Sequence, residues 1–123
     1  MSPMAAKESR AGSIIEYNDG KLWFHKKNNI VTIGITLNAL DDTGEIEGIS
    51  LPAEGDDFDK DDVVCEVDGS DGTMKVYAPA AGFVLEVNEP ISEDVQILNE
   101  DPIDEGWLVK LEIQDDTDLK EYV

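Results

Sequence analysis

Val63-Val64-Cys65-Glu66-Val67-Asp68-Gly69-Ser70-Asp71-Gly72-Thr73-Met74-Lys75-Val76-Tyr77-Ala78-Pro79-Ala80-Ala81-Gly82 is the stretch whose reading decides the fold. Two apolar-rich runs flank Asp68-Gly69-Ser70-Asp71-Gly72, residues that tolerate positive φ and bond locally to their own backbone. That pattern predicts a β-hairpin with an exposed, acidic and flexible tip. In its returning strand, period-two alternation puts Thr73, Lys75 and Tyr77 on one face and Met74 and Val76 on the other.

Upstream of the hairpin the sequence is strand-like again. Ile14 to Tyr17 and Lys21 to His25 flank Asn18-Asp19-Gly20, a good hairpin signal. A second turn at Lys26 to Asn29 leads into Ile30 to Thr36, whose β-branched density marks a strand. Thr36 is placed to cap a short helix from Leu37 to Thr43, with Gly44 as its stop. Glu45 to Leu51 alternates in period two and ends at Pro52.

Downstream, Ala80-Ala81-Gly82 links into a strand from Phe83 to Val87. Ile91, Val95 and Leu98 recur at helical spacing after Pro90, and Asn99 to Pro102 breaks the pattern. Trp107 to Ile113 supplies the last strand, and Asp116 to Tyr122 forms one helical turn or two. Many short strands with few, short helices predict an all-β barrel or sandwich. Residues 1–13, with Pro3 and isolated charges, are expected to be a flexible tail, and residues 14–123 a single domain.

The composition narrows the partners. Nine Lys and Arg against 29 Asp and Glu give a formal charge of −20. Such a surface repels phosphate backbones and anionic lipid, so nucleic acid and membrane are poor partners and a basic protein groove is a better one. The lone Cys65 rules out an internal disulfide and reads as a small buried residue, which fits a reducing compartment. With no apolar run of membrane-spanning length and no signal-peptide pattern, the expected location is the cytoplasm.

These residues carry a family resemblance. Cys65 to Thr73, followed by Val76-Tyr77-Ala78-Pro79-Ala80-Ala81-Gly82, resembles the hairpin of biotinyl and lipoyl carrier domains. Thr32-Ile33-Gly34-Ile35-Thr36, Ala39, Gly44-Glu45-Ile46, Leu51-Pro52, Gly55, Val87-Asn88, Asn99-Glu100-Asp101-Pro102 and Glu105-Gly106-Trp107-Leu108 are similar to the glycine cleavage system H-protein. The resemblance runs from about residue 14 to the C-terminus. It implies a hybrid barrel-sandwich fold and a lipoyl group amide-linked to a lysine at the hairpin tip. In that family the arm carries a methylamine intermediate among the P-, T- and L-proteins.

Counting back from Tyr77-Ala78-Pro79 at the family's spacing, the lysine position falls on Asp71, and a carboxylate cannot form that amide. Lys75 lies four residues further on, within the returning strand; a register shift at the two tip glycines is the route by which it would serve as the acceptor. Otherwise it is a surface lysine tempering an acidic face. No lipoate is expected unless Lys75 is modified.

Asp71 itself reads either as ordinary turn chemistry or as part of a docking or metal-binding tip. Asp57 to Asp62 alternates acids like a calcium loop but lacks the glycine and places Lys60 among the ligands, so a solvated turn is expected and no metal site. His25 has no cysteine or serine constellation in the sequence to make it a base and reads as a surface or rim histidine. Trp23 and Trp107 read as packing residues, and Asp41, Asp42, Glu45 and Glu47 as a solvated face or an acidic docking patch.

Without a nucleophile, base or metal cluster, an enzyme is not expected. The expectation is an H-protein-like domain, not lipoylated, acting as a protein-binding or regulatory module. The alternative is a lipoylated carrier modified at Lys75. Expected partners are P-, T- or L-protein-like enzymes or a lipoate ligase.

Overall fold

The computed structural model describes residues 13–122, so the tail expected over residues 1–13 lies, but for Ser13, outside the described residues. Period-two segments become strands: β1 (Ile15–Tyr17), β2 (Leu22–Lys27), β3 (Ile30–Ile35), β4 (Ile46–Ser50), β5 (Asp57–Phe58), β6 (Val63–Gly69), β7 (Thr73–Tyr77), β8 (Gly82–Val87) and β9 (Val109–Glu112). They form a six-stranded sheet in the order β1-β2-β3-β9-β8-β5 and a three-stranded sheet in the order β4-β6-β7. Every pairing is antiparallel. The expected barrel-sandwich of strands with short helices is what forms.

Alternation decides which side chains enter the core. Leu22 and Phe24 on β2, Val31, Ile33 and Ile35 on β3, and Val67, Met74 and Val76 on the hairpin are all buried in one cluster. Each fully buried Leu, Ile, Val or Phe of this set contributes about 1.5–3 kcal/mol. Trp23 points the other way yet is fully buried, because its register partner is Gly34 and its indole lies over that glycine. The indole Nε1 donates to the carbonyl of Pro102 at 3.2 Å, which ties the outer face of the sheet to the segment before β9.

Turns follow the sequence closely. Asn18, Asp19 and Gly20 all take positive φ in the β1–β2 link. The second turn is tighter than expected: β2 runs on to Lys27, and only Asn28 and Asn29 separate it from Ile30. In β4 a bulge between Ile46 and Gly48 breaks strict alternation, so that Ile46 and Ile49, three apart, both face inward.

Two local expectations need correcting. Thr36 does not cap a helix: its hydroxyl donates to the Gly20 carbonyl at 2.6 Å, and the chain enters a 3₁₀ turn over Leu37–Ala39 before α1 (Leu40–Thr43). The helix expected after Pro90 is two, α2 (Pro90–Glu93) and α3 (Gln96–Glu100). The break expected over Asn99 to Pro102 does fall in that stretch, but at Asp101, so that Asn99 is still helical. Its side chain serves the edge of β4, accepting from Ile46 N–H at 2.8 Å and donating to Ile46 C=O at 3.2 Å. One amide thereby fills the place of a neighbouring strand at that position. The terminal helical turns do form, as a 3₁₀ helix over Thr117–Tyr122.

Asn88 is the second such clasp. Its side-chain nitrogen donates to the carbonyls of Glu105 at 2.9 Å and Trp107 at 2.8 Å, and only 6% of the residue is exposed. Asn88→Ala removes both donors from a mostly buried position and is expected to cost about 1–3 kcal/mol, read as a lowered denaturant midpoint with unchanged slope.

Candidate functional site

β6 and β7 pair through Asp68↔Thr73, Val67↔Met74, Glu66↔Lys75 and Cys65↔Val76, with a bulge between Val63 and Cys65. The expected alternation holds: Met74 and Val76 are buried, while Thr73 and Lys75 are exposed. The Thr73 hydroxyl donates to the Asp68 carboxylate at 3.0 Å, and Gly69 N–H to Gly72 C=O at 2.9 Å. Ser70, Asp71 and Gly72 form the apex, with Asp71 exposed upon it.

The apex is not the flexible tip its composition suggests. Ser70 N–H donates to Glu45 C=O at 2.9 Å, and Asp71 N–H to Thr43 C=O at 2.7 Å. In return Glu45 N–H donates to the Ser70 hydroxyl at 3.1 Å. Three hydrogen bonds therefore strap the apex to the link between α1 and β4. Glycines make the approach possible: a Cβ on Gly69 would sit 2.2 Å from Thr43 O, and one on Gly44 would sit 2.4 Å from Ser70 Oγ. Gly44 is also the expected helix stop, at φ 69° and ψ −156°. Sequence reasoning missed this strap; its only signal is that Gly44 and Gly69 are both glycine on either side of the contact.

Gly44→Ala places a side chain at positive φ and against Ser70. It is expected to cost about 1–3 kcal/mol and to speed amide exchange at Ser70 and Asp71 selectively. Unchanged protection at those two amides would contradict the strap.

The remaining candidates sort by place. Lys75 stands two residues into β7, about 7 Å along the strand from the closing Asp68–Thr73 pair, opposite Glu66. Asp41, Asp42, Glu45 and Glu47 are exposed beside the apex, where Asp42 pairs with Lys21 and by that hydrogen bond raises the lysine's pKa. In the acidic loop, Asp59 N–H donates to the Asp62 carboxylate at 2.8 Å, Asp62 N–H to Asp59 C=O at 3.1 Å, and Asp61 takes a φ of 71°. Asp62 thus closes a turn. Among the described residues no three His, Cys, Asp or Glu side chains are grouped to hold a metal.

His25 is half-buried in β2 opposite Thr32, in the six-stranded sheet, whereas the apex ladder belongs to the three-stranded one. Cys65 is buried as expected, and burial pushes its thiol up to about 12. Trp23 is core as expected. Trp107 departs from expectation: it is half-exposed, with the Lys110 ammonium 4.9 Å from its ring centre, so it covers the sheet surface rather than filling the core. Among the described residues no helix is long and apolar enough to cross a membrane.

Comparison with known proteins meets this geometry over nearly the whole chain. The family described as glycine cleavage H-protein matches residues 15–123. The glycine cleavage system H protein of Staphylococcus epidermidis is 35% identical over 111 residues, 90% of this chain and 88% of that one. Its counterpart in Thermotoga maritima is 33% identical over 108 residues, 88% of this chain and 87% of that one. In three dimensions, the crystal structure of a glycine cleavage system H protein from Mycobacterium marinum superposes with a TM-score of 0.77 at 25% identity, covering 84% of this chain and 85% of that one. The overall fold is therefore shared, and the chain belongs to the glycine cleavage H-protein family.

Proposed function

We propose that this protein is an H-protein scaffold without a lipoyl group, and that it works as a protein-binding or regulatory module rather than as a carrier or an enzyme. The observation that carries the reading is the apex itself. The acceptor position there is held by the exposed Asp71, whose carboxylate cannot form the lipoyl amide, and three hydrogen bonds hold that apex in place. The residues at the apex do not fit the group.

Lys75 carries the alternative, a lipoylated carrier of the methylamine intermediate, because it is an exposed amine on the same hairpin. Bringing it to the apex would slide β7 by four residues, drawing Pro79 into the ladder opposite Glu66 and pulling Val76 out of the core. Proline has no N–H for a ladder, and losing a buried valine costs about 1–3 kcal/mol. Both arguments favour the unmodified reading.

Binding surfaces retained without the arm would engage the P-, T- or L-protein, or a lipoate ligase, through a face of strongly negative charge. A reducing cytoplasm suits the buried, unpaired Cys65. Competition tests the proposal. Added to a glycine decarboxylation assay with a lipoylated H-protein, this chain is expected to raise the apparent KM for that carrier and leave kcat unchanged. No effect on any of the P-, T- or L-dependent steps, or on lipoylation of that carrier, in large molar excess would overturn it.

A further inference from the structure

Tyr17, Asn18, Asp61, Tyr77 and Tyr122 line a cleft of about 360 Å³. They come from five places in the chain: the end of β1, the turn after it, the acidic loop, the end of β7 far from the apex, and the C-terminal 3₁₀ helix. The volume lies at the small end of the range for ligand pockets, about 300–1,000 Å³.

The chemistry of the lining is that of a cation site. The Tyr17 hydroxyl is already committed, donating to Tyr77 C=O at 2.6 Å, and its ring packs on Phe24 and Tyr122, so Tyr17 forms the buried floor of the cleft. The Tyr17 and Tyr122 rings lie 5.4 Å apart at 58°, floor and wall meeting at an angle. Aromatic faces carry negative potential and attract cations. Among the described residues Asp61 adds the only carboxylate of the lining, on a backbone fixed by its N–H donating to Ala78 C=O at 2.8 Å. Burial raises the pKa of both phenols, with Asp61 contributing to each, so both rings stay neutral.

One of these rings already takes a cation from the chain itself, at Lys60, a residue outside the lining of the cleft. The Lys60 ammonium, paired with Glu121, lies 5.4 Å from the Tyr122 ring centre. A single carboxylate is too few ligands for a divalent metal, and a lining of phenol rings suits a weakly hydrated organic cation better than a strongly hydrated one. The overall charge of −20 concentrates cations around the molecule.

We propose that this cleft binds a small quaternary ammonium cation of the choline type, its charged head against the Tyr122 ring and beside Asp61. The site is independent of what the apex carries, since it lies at the opposite end of β7.

Titration of the full chain with choline and with its uncharged isostere 3,3-dimethylbutan-1-ol, followed by calorimetry and by the amide shifts of the lining residues, tests this. Choline is expected to saturate, with the isostere weaker by about tenfold. Asp61→Asn and Tyr122→Leu are each expected to weaken choline by about five- to tenfold, and Tyr122→Phe, which keeps a ring, to leave it within about twofold. Asn tolerates the positive φ of position 61, so Asp61→Asn keeps the test open even if Tyr122→Leu unfolds. Equal binding of choline and isostere, unchanged binding by Asp61→Asn, or no saturation would overturn the proposal.

Discussion

Asp71→Lys, expressed with a lipoate ligase and lipoate, is expected to gain one lipoyl group on nearly every molecule, where the parent chain gains none. The substitution leaves the apex in place, because the bonds that hold it are borne by main-chain atoms of residues 43, 45, 70 and 71 and by the Ser70 hydroxyl. Residue 71 is exposed, and a lysine there would hold its amine beyond the turn, clear of the β6–β7 ladder. Neighbouring Asp42, Asp68 and Glu45 surround it with negative charge, an exposed pairing worth at most about 1 kcal/mol and no obstacle to a ligase.

Two controls give the result its meaning. Asp71→Arg keeps the charge without an acylatable amine and is expected to remain unmodified. Asp71→Lys combined with Lys75→Ala is expected to gain the group as fully as the single variant. A folded Asp71→Lys that stays unmodified would contradict the account, since it would mean that more than one residue separates this apex from a carrier's.

Trp23→Ala is expected to be the most destabilising single substitution in the sheet, at about 3–5 kcal/mol, lowering Tm by roughly 10–20 °C. The indole is fully buried over Gly34 and donates to Pro102 C=O, so truncation opens a cavity and removes a hydrogen bond together. The neighbour sharpens the test. A Cβ on Gly34 would sit 2.7 Å from three indole atoms, so Gly34→Ala alone is expected to cost about 1–3 kcal/mol by overpacking.

In the Trp23→Ala background the same methyl enters the vacated space and is expected to cost nothing or to stabilise. The double variant is then more stable than the sum of the two singles by over about 1 kcal/mol, the coupling of residues in contact. Additive free energies from denaturant unfolding would contradict the stacking of Trp23 on Gly34.

How much of this was legible before folding follows from the range of each interaction. Strands and turns were readable because their signals are local: Asn18-Asp19-Gly20 takes the positive φ values its residue types favour, and Met74 and Val76 turn inward as period two requires. The clasp of Asn99 on β4 was not readable because its partner, Ile46, is 53 residues away. Thr36 was misread as a cap because the Gly20 carbonyl, brought alongside by the β2–β3 hairpin, competes for its hydroxyl.

The site divides in the same way. Asp71 at the apex and Lys75 on the ladder were visible from turn chemistry and alternation. The strap from Thr43 and Glu45 was not, since it is made of main-chain groups whose residue types carry no signal beyond two glycines. Nor was the tyrosine cleft, whose walls are more than 100 residues apart in sequence and meet only when the C-terminal turns pack on β1.

The central claim, that the scaffold persists while its acyl acceptor does not, is tested most directly by the intact mass of the parent chain after co-expression with lipoate ligase and lipoate, under conditions that fully modify a lysine-bearing H-protein. The account predicts the unmodified mass. A gain of one lipoyl group that disappears in Lys75→Ala would contradict it, and would make this protein a carrier acylated from the strand.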